Sequence, residues 1–127
     1  MKVELFLACE GAFCHDGNLT IVGTFNVIKA NTFPYKLNVG IALQLSFDEH
    51  SEWNEKIKIN IYKGNEGNAL YTIEGFAPKK QEGKGRLALV ANIQGLVIPE
   101  ENNYRMLLYL GETEKAEYDF NVVAHGK

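Results

Sequence analysis

Apolar residues recur at every second position through most of this chain, and Gly, Asn, Asp or Pro stands where the alternation stops. A period of two is the pattern of a strand with one face turned to a core. Val39, Ile41, Leu43, Leu45 and Phe47 show it most cleanly, opposed by Gly40, Ala42, Gln44 and Ser46. Val3, Leu5, Leu7 and Cys9 predict an earlier strand, with Glu4, Phe6, Ala8 and Glu10 on its outward side. Asp16, Gly17 and Asn18 form a hairpin turn, since Asp-Gly tolerates the positive φ that tight turns need. Leu19, Ile21, Phe25 and Val27 then line one strand interrupted at Gly23. Ile57, Ile59 and Ile61 mark a strand whose other face, Lys58, Asn60 and Tyr62, is expected to be wet. A short strand over 69–74 precedes the longest apolar run, 86–98.

Within that run the alternation slips at Gly95, which predicts a β-bulge. Pro99 ends the strand, and Tyr104, Met106, Leu108 and Leu110 restart the pattern after a corner. A tyrosine in this place is similar to the tyrosine corner of immunoglobulin-like sandwiches, where the phenol bonds back to the corner's backbone, though plain inward packing of Tyr104 accounts for the pattern equally. Tyr118, Phe120 and Val122 supply a last strand. Eight strands at regular spacing and no helical period predict an all-β fold. The expected architecture is a single-domain immunoglobulin-like antiparallel β-sandwich of about eight strands over residues 1–127.

Composition changes this picture little. At 127 residues, 46% hydrophobic and 23% charged, the chain can bury one core without staples. A net charge of −3 argues against general nucleic-acid binding, which needs clustered excess base. The start of the chain lacks a charged segment followed by an apolar run, and no run approaches a membrane span, so a cytoplasmic protein is expected. Two cysteines are too few for a disulfide framework.

Candidate chemistry is sparse. Cys14 and His15 are the residue types of a thiolate–imidazole pair, but neighbours in extended chain point to opposite sides. Cys9, Cys14, His15, Asp16 and His50 include metal-ligand types without the paired spacing of zinc sites. Asp48, Glu49, Glu52 and Glu55 lack the spacing of a calcium loop. Ser46 and Ser51 sit in no nucleophile elbow. Lys79, Lys80, Lys84 and Arg86 gather positive charge beside glycines, a composition suited to an anion contact or a solvated loop. Trp53 is a candidate anchor for a partner or a lid on the core.

The residues Asp16-Gly17-Asn18-Leu19-Thr20-Ile21-Val22-Gly23-Thr24-Phe25, with Gln94-Gly95-Leu96-Val97-Ile98-Pro99 and Asn103-Tyr104-Arg105, resemble an uncharacterised family of small bacterial and phage β-sandwich proteins. The resemblance spans nearly the whole chain. It implies the fold and assigns no activity, catalytic residue or cofactor.

If consecutive strands run antiparallel, alternate connections emerge at one end of the sandwich. That count gathers His15, Asp16, Asp48, His50, Trp53, Lys79, Lys80 and Lys84 into one interaction surface, with Glu112 and Glu114 beside them. The expected role is a non-catalytic protein-interaction or structural module that meets another protein or a second copy of itself. The alternative is a small-ligand or metal-binding protein using the same loops, and a cysteine-dependent enzyme ranks third. No cofactor is expected. Self-association is expected through the strand at 69–74 or through the outward side of Phe6 and Ala8.

Overall fold

The computed structural model describes residues 1–51, 56–76 and 82–126. They form nine strands: β1 (Lys2–His15), β2 (Asn18–Thr24), β3 (Val27–Ala30), β4 (Tyr35–Phe47), β5 (Lys56–Lys63), β6 (Tyr71–Phe76), β7 (Gly85–Ile98), β8 (Asn102–Leu110) and β9 (Thr113–Ala124). One sheet has the order β2-β1-β4-β7 and the other β3-β9-β8-β5-β6. The all-β expectation holds. The expectation of about eight strands, all antiparallel, is corrected: the second strand of the sequence reading is two strands in different sheets, and β3 runs parallel to β9. Gly23, at φ 63, stands in the left-handed region just where β2 ends and the chain crosses between sheets.

The inward side chains of β4 face those of β5, β8 and β9 across the sandwich. Ile41, Leu45, Ile61, Met106 and Leu108 are buried in this core. Phe120 stacks on Tyr104, with ring centroids 5.8 Å apart, and meets Phe25 edge-on at 5.5 Å. At the corner before β8 the Tyr104 hydroxyl donates to the Glu100 carbonyl at 2.6 Å, so the corner bond forms as well as the inward packing. The bulge at Gly95 is also present. Leu37 pairs with Leu96 and Val39 with Ile93, so one residue of β4 opposes two of β7. Gly95 has φ 71, and its amide donates to the Asn38 side chain at 3.0 Å.

A second bulge overturns the reading of β1. Val3 pairs with Leu45 but Leu5 with Gln44, which leaves Glu4 as an extra residue and inverts the alternation after it. Phe6 and Ala8 therefore join the main core. They are not an outward face, and the self-association surface expected there is withdrawn. Leu5, Leu7 and Cys9 lie on the other side of the sheet, where they cluster with Ala12, Leu19, Ile21 and Ala42.

That outer cluster exists because the β1–β2 hairpin folds back across its own sheet. Past Cys9 the hairpin leaves β4 and lies over it. Asn92 of β7 exchanges two hydrogen bonds with the backbone of Ala12, at 3.3 and 3.1 Å. The Cys14 thiol reaches the Ala88 carbonyl at 3.8 Å. Gly40 makes the crossing possible, since a Cβ there would stand 2.9 Å from the Gly11 Cα.

The outer face of the other sheet is less wet than its sequence implies. Asn60 is buried, donates to the Tyr62 hydroxyl and accepts from the Thr72 hydroxyl, both at 2.9 Å. Lys58 lies over the Tyr109 ring and Arg105 over the Tyr62 ring, so the aromatic faces carry cations on their outer side.

Candidate functional site

The charged residues that end up together are set by strand direction. Lys2 pairs with Ser46, so β1 starts at the end where β4 finishes. Phe47 pairs with Gly85, which brings the start of β7 to the same end. The Gly111 amide donates to the Lys56 carbonyl at 2.8 Å, which adds the β8–β9 turn. Three of the four connections predicted to share an end therefore do so.

The fourth does not. β1 runs away from this end, so the turn of His15 and Asp16 is carried off with the folded-back hairpin. His15 and Asp16 pair with each other at 3.2 Å in full exposure, and neither lines the hollow at the charged end. The hollow that holds His50 therefore forms without them. Trp53, Lys79 and Lys80 lie outside the described residues.

Asp48, His50 and Lys84 do meet, around a wide hollow of about 880 Å³. Lys2, Arg86 and Lys115 share its wall with Glu4 and Ser51. Register explains the placement. Lys2, Ser46 and Arg86 are direct cross-strand neighbours on β1, β4 and β7, and so stand in a row on one face of the sheet. Lys115 is the extra residue of a third bulge, between Ala116 opposite Leu108 and Glu114 opposite Tyr109. Glu4 is the extra residue of the bulge in β1, so two bulges at this end each present one charged side chain to the hollow. Gly85 admits the Phe47 ring, whose Cζ stands 2.6 Å from where a Cβ would be, and the packed ring forms the floor.

The carboxylate of Asp48 is engaged within its own turn. It accepts from the His50 amide at 2.9 Å and from the Ser51 hydroxyl at 3.4 Å, while the Asp48 amide donates to Ser51 Oγ at 2.9 Å. This fixes the turn and holds His50 at the rim. Among the described residues Lys2, Lys84, Arg86 and Lys115 form no ion pair, whereas Lys56 and Lys63 elsewhere do. The hollow thus sets four uncommitted cations against Glu4 and a tied-down Asp48.

A family model of a family of unknown function, DUF6941, matches residues 4–123. The chain belongs to DUF6941. That span reaches into every strand described above, omitting only the first residues of β1 and the last of β9, and, of the residues lining the hollow, leaves out only Met1 and Lys2. No curated protein matches the chain. Membership of DUF6941 therefore carries the resemblance read from the sequence no further toward a role.

The candidate thiols are far from any shared chemistry. Cys9 is buried, with its sulfur at 3.2 Å from the Gly11 carbonyl and 3.5 Å from that of Gly40, and burial pushes its pKa up. Cys14 is exposed, and neither cysteine is in a disulfide. Among the described residues no three His, Cys, Asp or Glu side chains come together as a metal site would require. Among the described residues no helix is long and apolar enough to cross a membrane. Sequence reading missed Lys2, Glu4 and Lys115. Two of them are bulge residues unmarked by glycine, so nothing in the local pattern singles them out.

Proposed function

We propose that the protein is a non-catalytic interaction module that docks an acidic surface of another protein against the hollow formed by Lys2, Lys84, Arg86 and Lys115. The observation that carries this is their lack of ion-pair partners among the described residues. Taking these four cations and the two carboxylates of the hollow from the chain totals leaves nine basic against fourteen acidic residues elsewhere. An acidic partner is then repelled by most of the surface and steered to this end. The breadth of the hollow suits a cluster of side chains.

Its volume also suits a second reading, a small anion held by the same cations. The two separate in one experiment. A labelled oligoglutamate peptide is titrated against the protein at rising salt, and phosphate is added in a thermal-shift assay. Docking of an acidic protein surface predicts peptide binding that weakens with salt, and little response to phosphate. The small-anion reading predicts the reverse. Binding of neither removes both.

The corner bond of Tyr104 supports reading the sandwich as immunoglobulin-like. The two free thiols support a reducing, cytoplasmic setting.

A further inference from the structure

Four strands form the edges of the two sheets, and three carry a feature that discourages pairing with another chain. β3 has only four residues and includes Lys29. β2 carries left-handed Gly23, which breaks its extended backbone, and β7 is bent by the bulge at Gly95. β6 has none of these. Its register with β5 is unbroken from Tyr71 to Phe76, it contains neither proline nor lysine, and its one charge, Glu74, is paired with Lys56 at 3.0 Å.

We propose that β6 pairs antiparallel with β6 of a second copy, about a two-fold axis through Ile73, so that the two five-stranded sheets become continuous. This goes beyond the docking at the charged end and does not depend on it. The register follows from geometry. A two-fold axis normal to the sheet keeps inward faces on the same side in both copies, so facing residues must share a face. Centring on Glu74 would set two carboxylates against each other, and centring on Thr72 would leave Phe76 beyond the paired segment.

Centring on Ile73 sets the two Ile73 side chains together, Thr72 against Glu74, and Tyr71 against Gly75. That last pair is complementary. Nothing lies within 4 Å of where a Gly75 Cβ would stand, so the tyrosine ring of the second copy has an open backbone to cover. The same register brings Leu70 opposite Phe76, which are 37% and 74% exposed, while Tyr71 is 40% exposed. Beside the strand, a slot of about 180 Å³ between β6 and β7 opens onto Ile41, Leu43, Ile59 and Leu89. Pairing at β6 extends the sheet across its mouth. A second copy is the occupant because the strand is complementary to itself in one register.

Sedimentation velocity over a wide concentration range, joined to cysteine cross-linking in a Cys14→Ser background, tests the proposal. The wild-type chain should dimerise, and Tyr71→Lys should raise the dissociation constant by at least about tenfold with an unchanged circular-dichroism spectrum. Under mild oxidation Ile73→Cys should cross-link to itself, because facing Cβ atoms in a pair lie about 5 Å apart. Thr72→Cys, whose counterpart is Glu74, should not. The cross-linking result stands even if Tyr71→Lys folds poorly. A wild-type chain that stays monomeric throughout overturns the proposal, whatever foreign strand binds there, as does a Thr72→Cys variant that cross-links as readily as Ile73→Cys.

Discussion

Replacing Gly40 by alanine tests whether the β1–β2 hairpin really lies on β4. The new methyl carbon would meet the Gly11 Cα at 2.9 Å, and the Ala12 nitrogen and Asn92 Oδ1 each at 3.0 Å. Two of the three are backbone atoms, so relief requires the hairpin to lift, not a rotamer to change. Overpacking of this kind costs about 1–3 kcal/mol. Lifting also stretches the two Asn92 bonds to Ala12, worth about 1 kcal/mol together once their geometry degrades. Against this, alanine in a strand interior gains about 0.5–1 kcal/mol over glycine. The packing terms win, and the net loss is about 2 kcal/mol, or roughly 6–10 °C in Tm for a domain of this size. Gly67→Ala is the matched control, because nothing lies within 4 Å of a Cβ there. It should stay within about 0.5 kcal/mol of wild type. Urea and thermal unfolding followed by circular dichroism measure both. A Gly40→Ala variant as stable as Gly67→Ala would refute the crossing.

Tyr104→Phe removes the corner bond and should cost about 1 kcal/mol in urea denaturation, with the spectrum unchanged. Burial holds the phenols of Tyr104 and Tyr118 above the ordinary value of 10.0, so the folded chain keeps protons that the unfolded chain releases. Stability should be full below pH 10 and fall as pH rises through the folded values, less steeply in Tyr104→Phe; denaturant midpoints across alkaline pH check this. Gly95→Ala forces a side chain into φ 71 and should cost about 1–2 kcal/mol by the same assay. Native protein should react with a thiol reagent at Cys14 alone, and at Cys9 only after unfolding, which mass spectrometry of the labelled chain resolves.

Much of the fold was legible where glycine or proline marked a change of phase. Gly95 announced its bulge, Pro99 and Tyr104 their corner, and β4 its buried face. The bulge at Glu4 carried no such mark, since a charged residue continues a polar–apolar alternation whether or not the strand slips. Phe6 and Leu5 consequently changed faces without any local signal. Gly23 was read as an interruption within one strand, but its left-handed backbone ends β2 and lets β3 enter the other sheet. The burial of Gly40 and Ala42 on an outward face depends on a hairpin that returns over the sheet, a long-range contact with no counterpart in periodicity. The hollow itself was half legible: Asp48, His50 and Lys84 follow from counting connections, while Lys2 and Lys115 require the register.

Docking of acidic protein at the four uncommitted cations is open to direct observation in solution. Heteronuclear NMR of the labelled chain titrated with oligoglutamate addresses it residue by residue. Amide shifts should concentrate at Lys2, Ser46 to Ser51, Lys84 to Arg86 and Lys115. The double variant Arg86→Glu, Lys115→Glu should weaken binding roughly tenfold, since each reversal replaces one partly screened attraction by a repulsion. Shifts centred on the exposed His15–Asp16 turn, or an affinity unchanged in the double variant, would rule out docking at these cations.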